Sequence, residues 1–414
     1  MALNWLMMAL EGPLLVGLIG RMPMATENLA AFSVAFAIAM MIEAPIMMLL
    51  SAGAALARDR ASYERLWHFA TALNLPLSLL MGIVGLPEIF LQLNTFLWKL
   101  PEPMALRVAR ALWILIPWPA VIGYRRLWQG VLIRQGQSRL VAWGTVLRLV
   151  GMGIGALVGS LFLSEWPGTW IAALALSFGV TTEMLIVRLW ASPYLGRLGQ
   201  TSAPPLSYRE IGKFYFPLLL TSLLNVALVP LLTTLMSQGR MPLLSLAAYP
   251  AVSNTVFLFS CIGVAYQEVV VVLLGTRVRS HLVSFAHLIA LGTTLSLGLL
   301  SFPGLREVWL GRIFSVPGEV LHLASVGLLL ILPMPALVVY LAILKGMFIW
   351  AHQTRLNLLA AIVELGSVLA ATAIFLFTAE MIALYGALVA LVLARLLTLL
   401  VFLPVGSRIF IRKT

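Results

Sequence analysis

The chain has 414 residues, of which 61% are hydrophobic and only 10% charged. A soluble core cannot absorb that much apolar surface, and apolar runs recurring from end to end are the signature of a polytopic helical membrane protein. The net charge of +12 raises nucleic-acid binding, but the basic residues are distributed as membrane topology distributes them, so no nucleic-acid partner is expected.

Cut at its polar and Gly/Pro-rich breaks, the sequence gives about twelve segments able to cross roughly 30 Å of hydrocarbon as helices. They lie near 3–20, 28–57, 66–94, 105–133, 139–163, 168–191, 211–236, 243–275, 281–302, 319–350, 355–378 and 381–404. Met1-Ala2-Leu3-Asn4 has no basic n-region and the first apolar run is full length, so the first helix is expected to stay in the membrane. With loops assigned alternately, Arg58, Arg60, Arg65, Arg134, Arg139, Arg197, Arg277 and Lys413 fall with others on one side, at a bias of about two to one. Both termini are therefore expected in the cytoplasm, with the protein in the plasma (inner) membrane. The single cysteine, Cys261, excludes an intramolecular disulfide and a Cys-based metal site. The five histidines, among them His287 and His352, show no ligand spacing and read as interfacial or core.

The first segment carries Glu11-Gly12-Pro13 near its middle and the second carries Glu43-Ala44-Pro45. A proline at that depth frees a backbone carbonyl and bends the helix, and irregular backbone there is tolerated only inside protein or beside water. Carboxylate plus freed carbonyl oxygens could bind a coupling H+ or Na+; equally, a protonated Glu could hydrogen-bond a neighbouring helix. The segments 66–94 and 281–302 read as packing elements.

The segment 105–133 holds Tyr124, Arg125, Arg126, Trp128 and Gln129 about two turns inside the end marked by Arg134. Arg125 is expected to line a substrate cavity, with one of the two adjacent arginines reaching for headgroups instead. The next two segments form a hairpin turning near Ser164-Glu165-Trp166-Pro167, which puts Arg148 and Glu183 level with each other. Gly196 to Tyr208 reads as a linker, giving lobes 1–197 and 210–414 joined by a cytoplasmic linker over 198–209. Segment 243–275 is interrupted by Pro250 and carries Glu268, a third candidate for the coupling cation, without an acidic counterpart in segment 28–57. In 319–350 the candidates are Tyr340 and Lys345. In the last hairpin, Glu364 and Arg395 come level by the same count. Each of these intramembrane pairs reads as a clamp within its lobe, or as partners exchanged during transport, since a lone charge at such depth is costly.

The chain is also a duplication. Ile114 to Arg148 recurs without a gap from Leu330 to Glu364: Pro117-Trp118-Pro119 becomes Pro333-Met334-Pro335, Tyr124 becomes Tyr340, Gly130 becomes Gly346, and Gln137-Ser138-Arg139 becomes Gln353-Thr354-Arg355. Gly20-Arg21-Met22-Pro23 recurs as Gly239-Arg240-Met241-Pro242. Two matches in the same order make an internal repeat. In this register Gln129 corresponds to Lys345 and Arg148 to Glu364. With six helices per repeat the expected fold is all-α, two parallel-repeat six-helix bundles related by an axis along the membrane normal, whose equivalent faces meet across a central cavity.

Two such halves resemble the superfamily of multidrug and toxic-compound extrusion (MATE) transporters, polysaccharide and lipid-linked-oligosaccharide (MOP) flippases and progressive ankylosis proteins. Leu29-Ala30-Ala31-Phe32-Ser33-Val34-Ala35-Phe36 leading to Pro45, Glu11 before the first loop, Phe214-Tyr215-Phe216-Pro217 and Pro333-Met334-Pro335-Ala336 resemble the ankylosis branch. The resemblance implies a V-shaped exporter working by alternating access, carrying small organic or phosphate-bearing anions. The sequence departs from the extrusion-pump pattern in having Glu11 about a turn before the expected Asp of the first helix.

The resulting expectation is a secondary active exporter, monomeric in the bilayer and without a cofactor beyond coupling H+ or Na+. Arg125 and Lys345 would hold the anionic group and Tyr124, Gln129 and Tyr340 orient it; Glu11, Glu43 and Glu268 would serve the cation. The alternatives are a flippase for a lipid or lipid-linked precursor, a cationic multidrug pump, and a membrane-embedded polyprenyl-phosphate transferase. Against the last, the chain has no H-E-x-x-H, no nucleophile motif with a matched base and no aspartate-rich metal motif, so no enzyme is expected.

Overall fold

The computed structural model describes residues 2–199, 206–274, 279–351 and 353–412. Residues 200–205 of the expected linker, together with Arg277, His352 and Lys413, lie outside the described residues. The described chain is nearly all helical. The first half runs α1 (Ala2–Gly20), α2 (Ala25–Glu43), a 3-10 turn (Ala44–Ile46), α3 (Leu49–Leu56), α4 (Arg60–Val84), α5 (Pro87–Phe96), α6 (Glu102–Ile114), α7 (Trp118–Arg134), α8 (Ser138–Phe162) and α9 (Gly168–Gly196). The second runs α10 (Tyr208–Ser237), α11 (Pro242–Leu273), α12 (Arg279–Leu300), α13 (Leu305–Glu307) with a π-helical turn (Val308–Ile313), α14 (Gly318–Leu330), α15 (Met334–Trp350), α16 (Thr354–Phe377) and α17 (Ala383–Arg412).

Among the described residues ten helices are long and apolar enough to cross a membrane, and the bent pair α14–α15 makes an eleventh. This is an integral membrane protein. The twelfth expected span coincides with α1, whose apolar part, Trp5–Gly20, is shorter. Four of the expected spans are broken helices, and each break has a cause in the sequence. Pro45 sits inside the turn that separates α2 from α3. Gly85-Leu86-Pro87 separates α4 from α5. Pro117 and Pro333 cap α7 and α15, with Pro119 and Pro335 in the first turn, where a missing N–H costs nothing. The same prolines cannot continue α6 or α14, and at the second break the axis turns by 46°.

The duplication is present in the helices themselves. α6 and α14 are both 13 residues long, and α7 and α15 are both 17. Ahead of α6 and α14 the chain passes through the left-handed region at Lys99 (φ 53°) and Ser315 (φ 52°), each two residues before the capping Pro101 or Pro317. Such a conformation costs a side chain of order 1 kcal/mol or more, yet both halves adopt it with unrelated residues.

By packing, the chain groups into two compact units: Met1–Ser33 with Leu231–Thr414, and Val34–Pro230. In the second of these α7 is central, lying against α3, α4, α8 and α9. In the first, α15 holds the corresponding place against α11, α12, α16 and α17, and α1 packs on α11. The echoed glycine explains the close approaches. A Cβ on Gly130 would lie 2.3 Å from the Leu50 carbonyl oxygen, so α7 touches α3 backbone to backbone; on Gly346 it would lie 2.8 Å from Val270 Cγ1 on α11.

Candidate functional site: two carboxylates, each between two cations

Successive residues on a helix point about 100° apart, and in unit 34–230 Tyr124, Arg125 and Arg126 of α7 accordingly reach three different neighbours. Arg125 points at α9 and donates to Glu183 Oε2. One turn on, Gln129 Nε2 donates to Glu183 Oε1 at 2.9 Å. From α8, Arg148 Nε lies 3.5 Å from Glu183 Oε2. Arg125, Arg148, Gln129 and Glu183 are all buried, the last completely. Arg126 leans the other way, with Nη2 3.4 Å from Met47 Sδ at the break after α2. The buried Glu43, which ends α2, is among the charges that act on it. Tyr124 turns to α4, donates to Thr71 Oγ1 at 3.1 Å and stacks between Trp67 and Trp128.

The other unit repeats the scheme with different residues. Glu364 of α16 accepts from Arg395 Nε of α17 at 2.9 Å and lies 3.5 Å from Lys345 Nζ of α15. Arg395 Nη1 also approaches Met334 Sδ at 3.1 Å. This cluster is wetter: the side chains of Lys345, Arg395 and Glu364 are 28%, 25% and 11% exposed, against 0% for Glu183. Tyr340 turns to α12, where its hydroxyl meets His287 Nδ1 at 2.9 Å.

Sequence reasoning kept the substrate cations Arg125 and Lys345 apart from the pairs Arg148–Glu183 and Glu364–Arg395. In the structure they share a carboxylate. Each cluster has one acid between two bases, so each carries one positive charge in excess inside a helix bundle, where charges interact strongly. Such a cluster can hold an added anion, or exchange its own carboxylate for one. Tyr124 and Tyr340 lie on other faces of α7 and α15, away from these carboxylates.

The coupling-cation candidates are distributed otherwise. Glu11 and Glu268 belong to one compact unit and Glu43 to the other. Glu268 accepts from Trp5 Nε1 at 3.5 Å, both half-buried. At the Pro45 break the carbonyls of Pro45 and Ala44 accept hydrogen bonds from Tyr215 Oη at 2.5 Å and Ser222 Oγ at 2.7 Å. These two α10 residues were missed. Their signal was a spacing of two helical turns, which puts two hydroxyls on one face.

No protein-family model matches the sequence, and no curated protein matches it. Solved structures do match, over nearly the whole chain. An inward-facing multidrug resistance MATE family transporter of the MOP superfamily aligns with a TM-score of 0.76 at 16% identity, covering 98% of this chain and 94% of that one. The fold is that of the MATE and MOP transporters. The lipid II flippase MurJ, in an inward closed conformation, aligns with a TM-score of 0.71 at 13% identity over 97% and 87% of the two chains. A MOP superfamily transporter from Pyrococcus furiosus, described as having a binding pocket of reverse polarity that suggests a different function, aligns with a TM-score of 0.63 at 16% identity over 100% and 95%. Across the MATE/MOP fold, identities this low carry architecture and not chemistry.

Proposed function

We propose that this chain is a secondary active membrane transporter that exports a small anionic or phosphate-bearing organic solute by alternating access. The observation that carries the reading is the excess positive charge of each cluster: Arg125 and Arg148 around Glu183, Lys345 and Arg395 around Glu364. A solute's acidic group can take the place of a carboxylate between two cations without leaving either cation alone. The patches resembling the progressive ankylosis family support an anion over the cationic solutes of a drug pump.

In this reading the lobes 1–197 and 210–414 move about the linker 198–209. The termini are cytoplasmic, the chain acts as a monomer in the inner or plasma membrane, and H+ or Na+ bound through Glu11, Glu43 or Glu268 drives transport. The test uses purified protein in liposomes, with ion gradients imposed and organic phosphates and carboxylates supplied as solutes. Glu11→Gln or Glu43→Gln should abolish gradient-driven movement while leaving solute binding. Uptake of organic cations in preference to anions by the unaltered protein would refute the reading.

A second reading, a flippase for a lipid-linked precursor, draws on the likeness to MurJ and on the same cation clusters, which suit a lipid phosphate equally well. It is separated by substrate: a flippase would move a fluorescent lipid phosphate between leaflets and leave water-soluble anions where they are.

A further inference from the structure

A cavity of about 730 Å³ lies wholly within unit 34–230, between α4 and α9 over α7. Its back wall is an aromatic ladder: Trp67 stacks on Tyr124 and Tyr124 on Trp128, with centroid separations of 6.2 and 5.9 Å. Trp128 Nε1 donates to the Tyr63 hydroxyl at 3.0 Å, which fixes the ladder's inner end. The Arg188 guanidinium sits 5.2 Å from the Trp128 ring centroid and makes no hydrogen bond or ion pair among the described residues. At the mouth, Arg60 and Glu64 pair at 2.6 Å. The mouth lies at the end of the unit that carries Arg58, Arg134, Arg139 and Arg197.

We infer that this cleft binds the phosphate headgroup of an anionic phospholipid, held by Arg188, with the lipid body against Trp67. Three observations choose the ligand. Glu64 is already neutralised by Arg60 and the face of Trp128 already carries a cation, so the charge left to satisfy is positive and calls for an anion. Arginine on a phosphate keeps its planar donors satisfied while its stem lies along apolar surface. Finally, the α9 face that presents Arg188 and Ser192 to the cavity also presents Leu185 and Leu189, 55% and 70% exposed, and Trp67 across the cleft is 37% exposed. That rim suits hydrocarbon, which points to a lipid and not to a phosphate arriving from water. The site is separate from the Glu183 cluster and does not depend on what is transported.

Native mass spectrometry of the full chain, released from micelles doped with phosphatidylglycerol or phosphatidylcholine, tests it. The unaltered protein should retain phosphatidylglycerol in preference to phosphatidylcholine. Arg188→Gln, Trp67→Ala and Ser192→Glu should each lower retention, by about tenfold for Arg188→Gln, the scale of one lost charge-assisted hydrogen bond. Arg188→Lys should keep part of it, and Arg139→Gln, an exposed charge at the same end but outside the cavity, all of it. Equal retention of the two lipids would overturn the inference, as would an equal loss in Arg139→Gln. Displacement of phosphatidylglycerol by excess inorganic phosphate would assign the cleft to a water-borne anion instead. Should Arg188→Gln fail to fold, Ser192→Glu decides, because it adds a repelling charge on an exposed face.

Discussion

Tyr340 Oη meets His287 Nδ1 at 2.9 Å across 53 residues of sequence, and Tyr124 meets Thr71 at 3.1 Å across the same 53. The duplication therefore reaches beyond the echoed segment into α4 and α12, where Thr and His are alike only in being able to hydrogen-bond a phenol. If the contact is a positional inheritance, His287→Thr should be tolerated. Tyr340→Phe should cost about 0.5–1.5 kcal/mol, the net worth of one hydrogen bond. Thermal unfolding of both variants in detergent checks this; a larger loss for His287→Thr than for Tyr340→Phe would mean that the imidazole has its own role.

Glu183 pairs with both Arg125 and Arg148, and all three are buried. Removing one partner of a buried pair leaves an uncompensated charge, at about 3–5 kcal/mol. Glu183→Gln should therefore reduce the yield of folded protein sharply. Glu183→Gln combined with Arg125→Gln should recover much of it, read as monodisperse protein on size exclusion.

The equivalent change in the other unit should be milder. Lys345 and Arg395 are a quarter or so exposed, so water can screen them when Glu364 is neutralised, and partly exposed pairs contribute less, about 1 kcal/mol or below. We expect Glu364→Gln to fold and to lower the melting temperature less than Glu183→Gln. Equal losses would show that the two clusters are dry to the same degree.

Gly130 and Gly346 should differ for a reason visible in what each would strike. A methyl on Gly130 meets the Leu50 carbonyl and the Ala54 nitrogen, which are backbone, whereas on Gly346 it first meets the Val270 side chain. Overpacking costs about 1–3 kcal/mol when nothing can move aside. Gly130→Ala should fall toward the upper part of that range and Gly346→Ala toward the lower, measured as shifts in melting temperature.

The hydroxyls of Tyr215 and Ser222 close the Pro45 break. Tyr215→Phe and Ser222→Ala should each cost about 1–3 kcal/mol, because a buried carbonyl loses its donor. The same variants should leave the cation dependence of transport unaltered. A changed apparent cation affinity in either would bring those carbonyls into the coupling site.

Much of the architecture was legible in the residues: the helical class, the span positions to within a few residues, the break at Pro45, and the internal repeat; the breaks at Gly85-Leu86-Pro87, Pro117 and Pro333 were not read from them. The legible features follow from local physics, since apolar length and proline act on the segment that contains them. The α5 helix and the π-turn before α14 were not foreseen.

What only the tertiary structure decided is which side chains meet. Matching of depths put Arg148 level with Glu183 and Glu364 level with Arg395. It could not tell that Arg125 and Gln129 converge on Glu183, that Lys345 converges on Glu364, or that Tyr124 and Tyr340 turn away to α4 and α12. Depth is a one-dimensional quantity that the sequence encodes directly. The azimuth of a side chain gains a meaning only when a neighbouring helix is packed beside it, and that packing is set by distant residues such as Gly53 and Gly130, whose close approach no single segment contains.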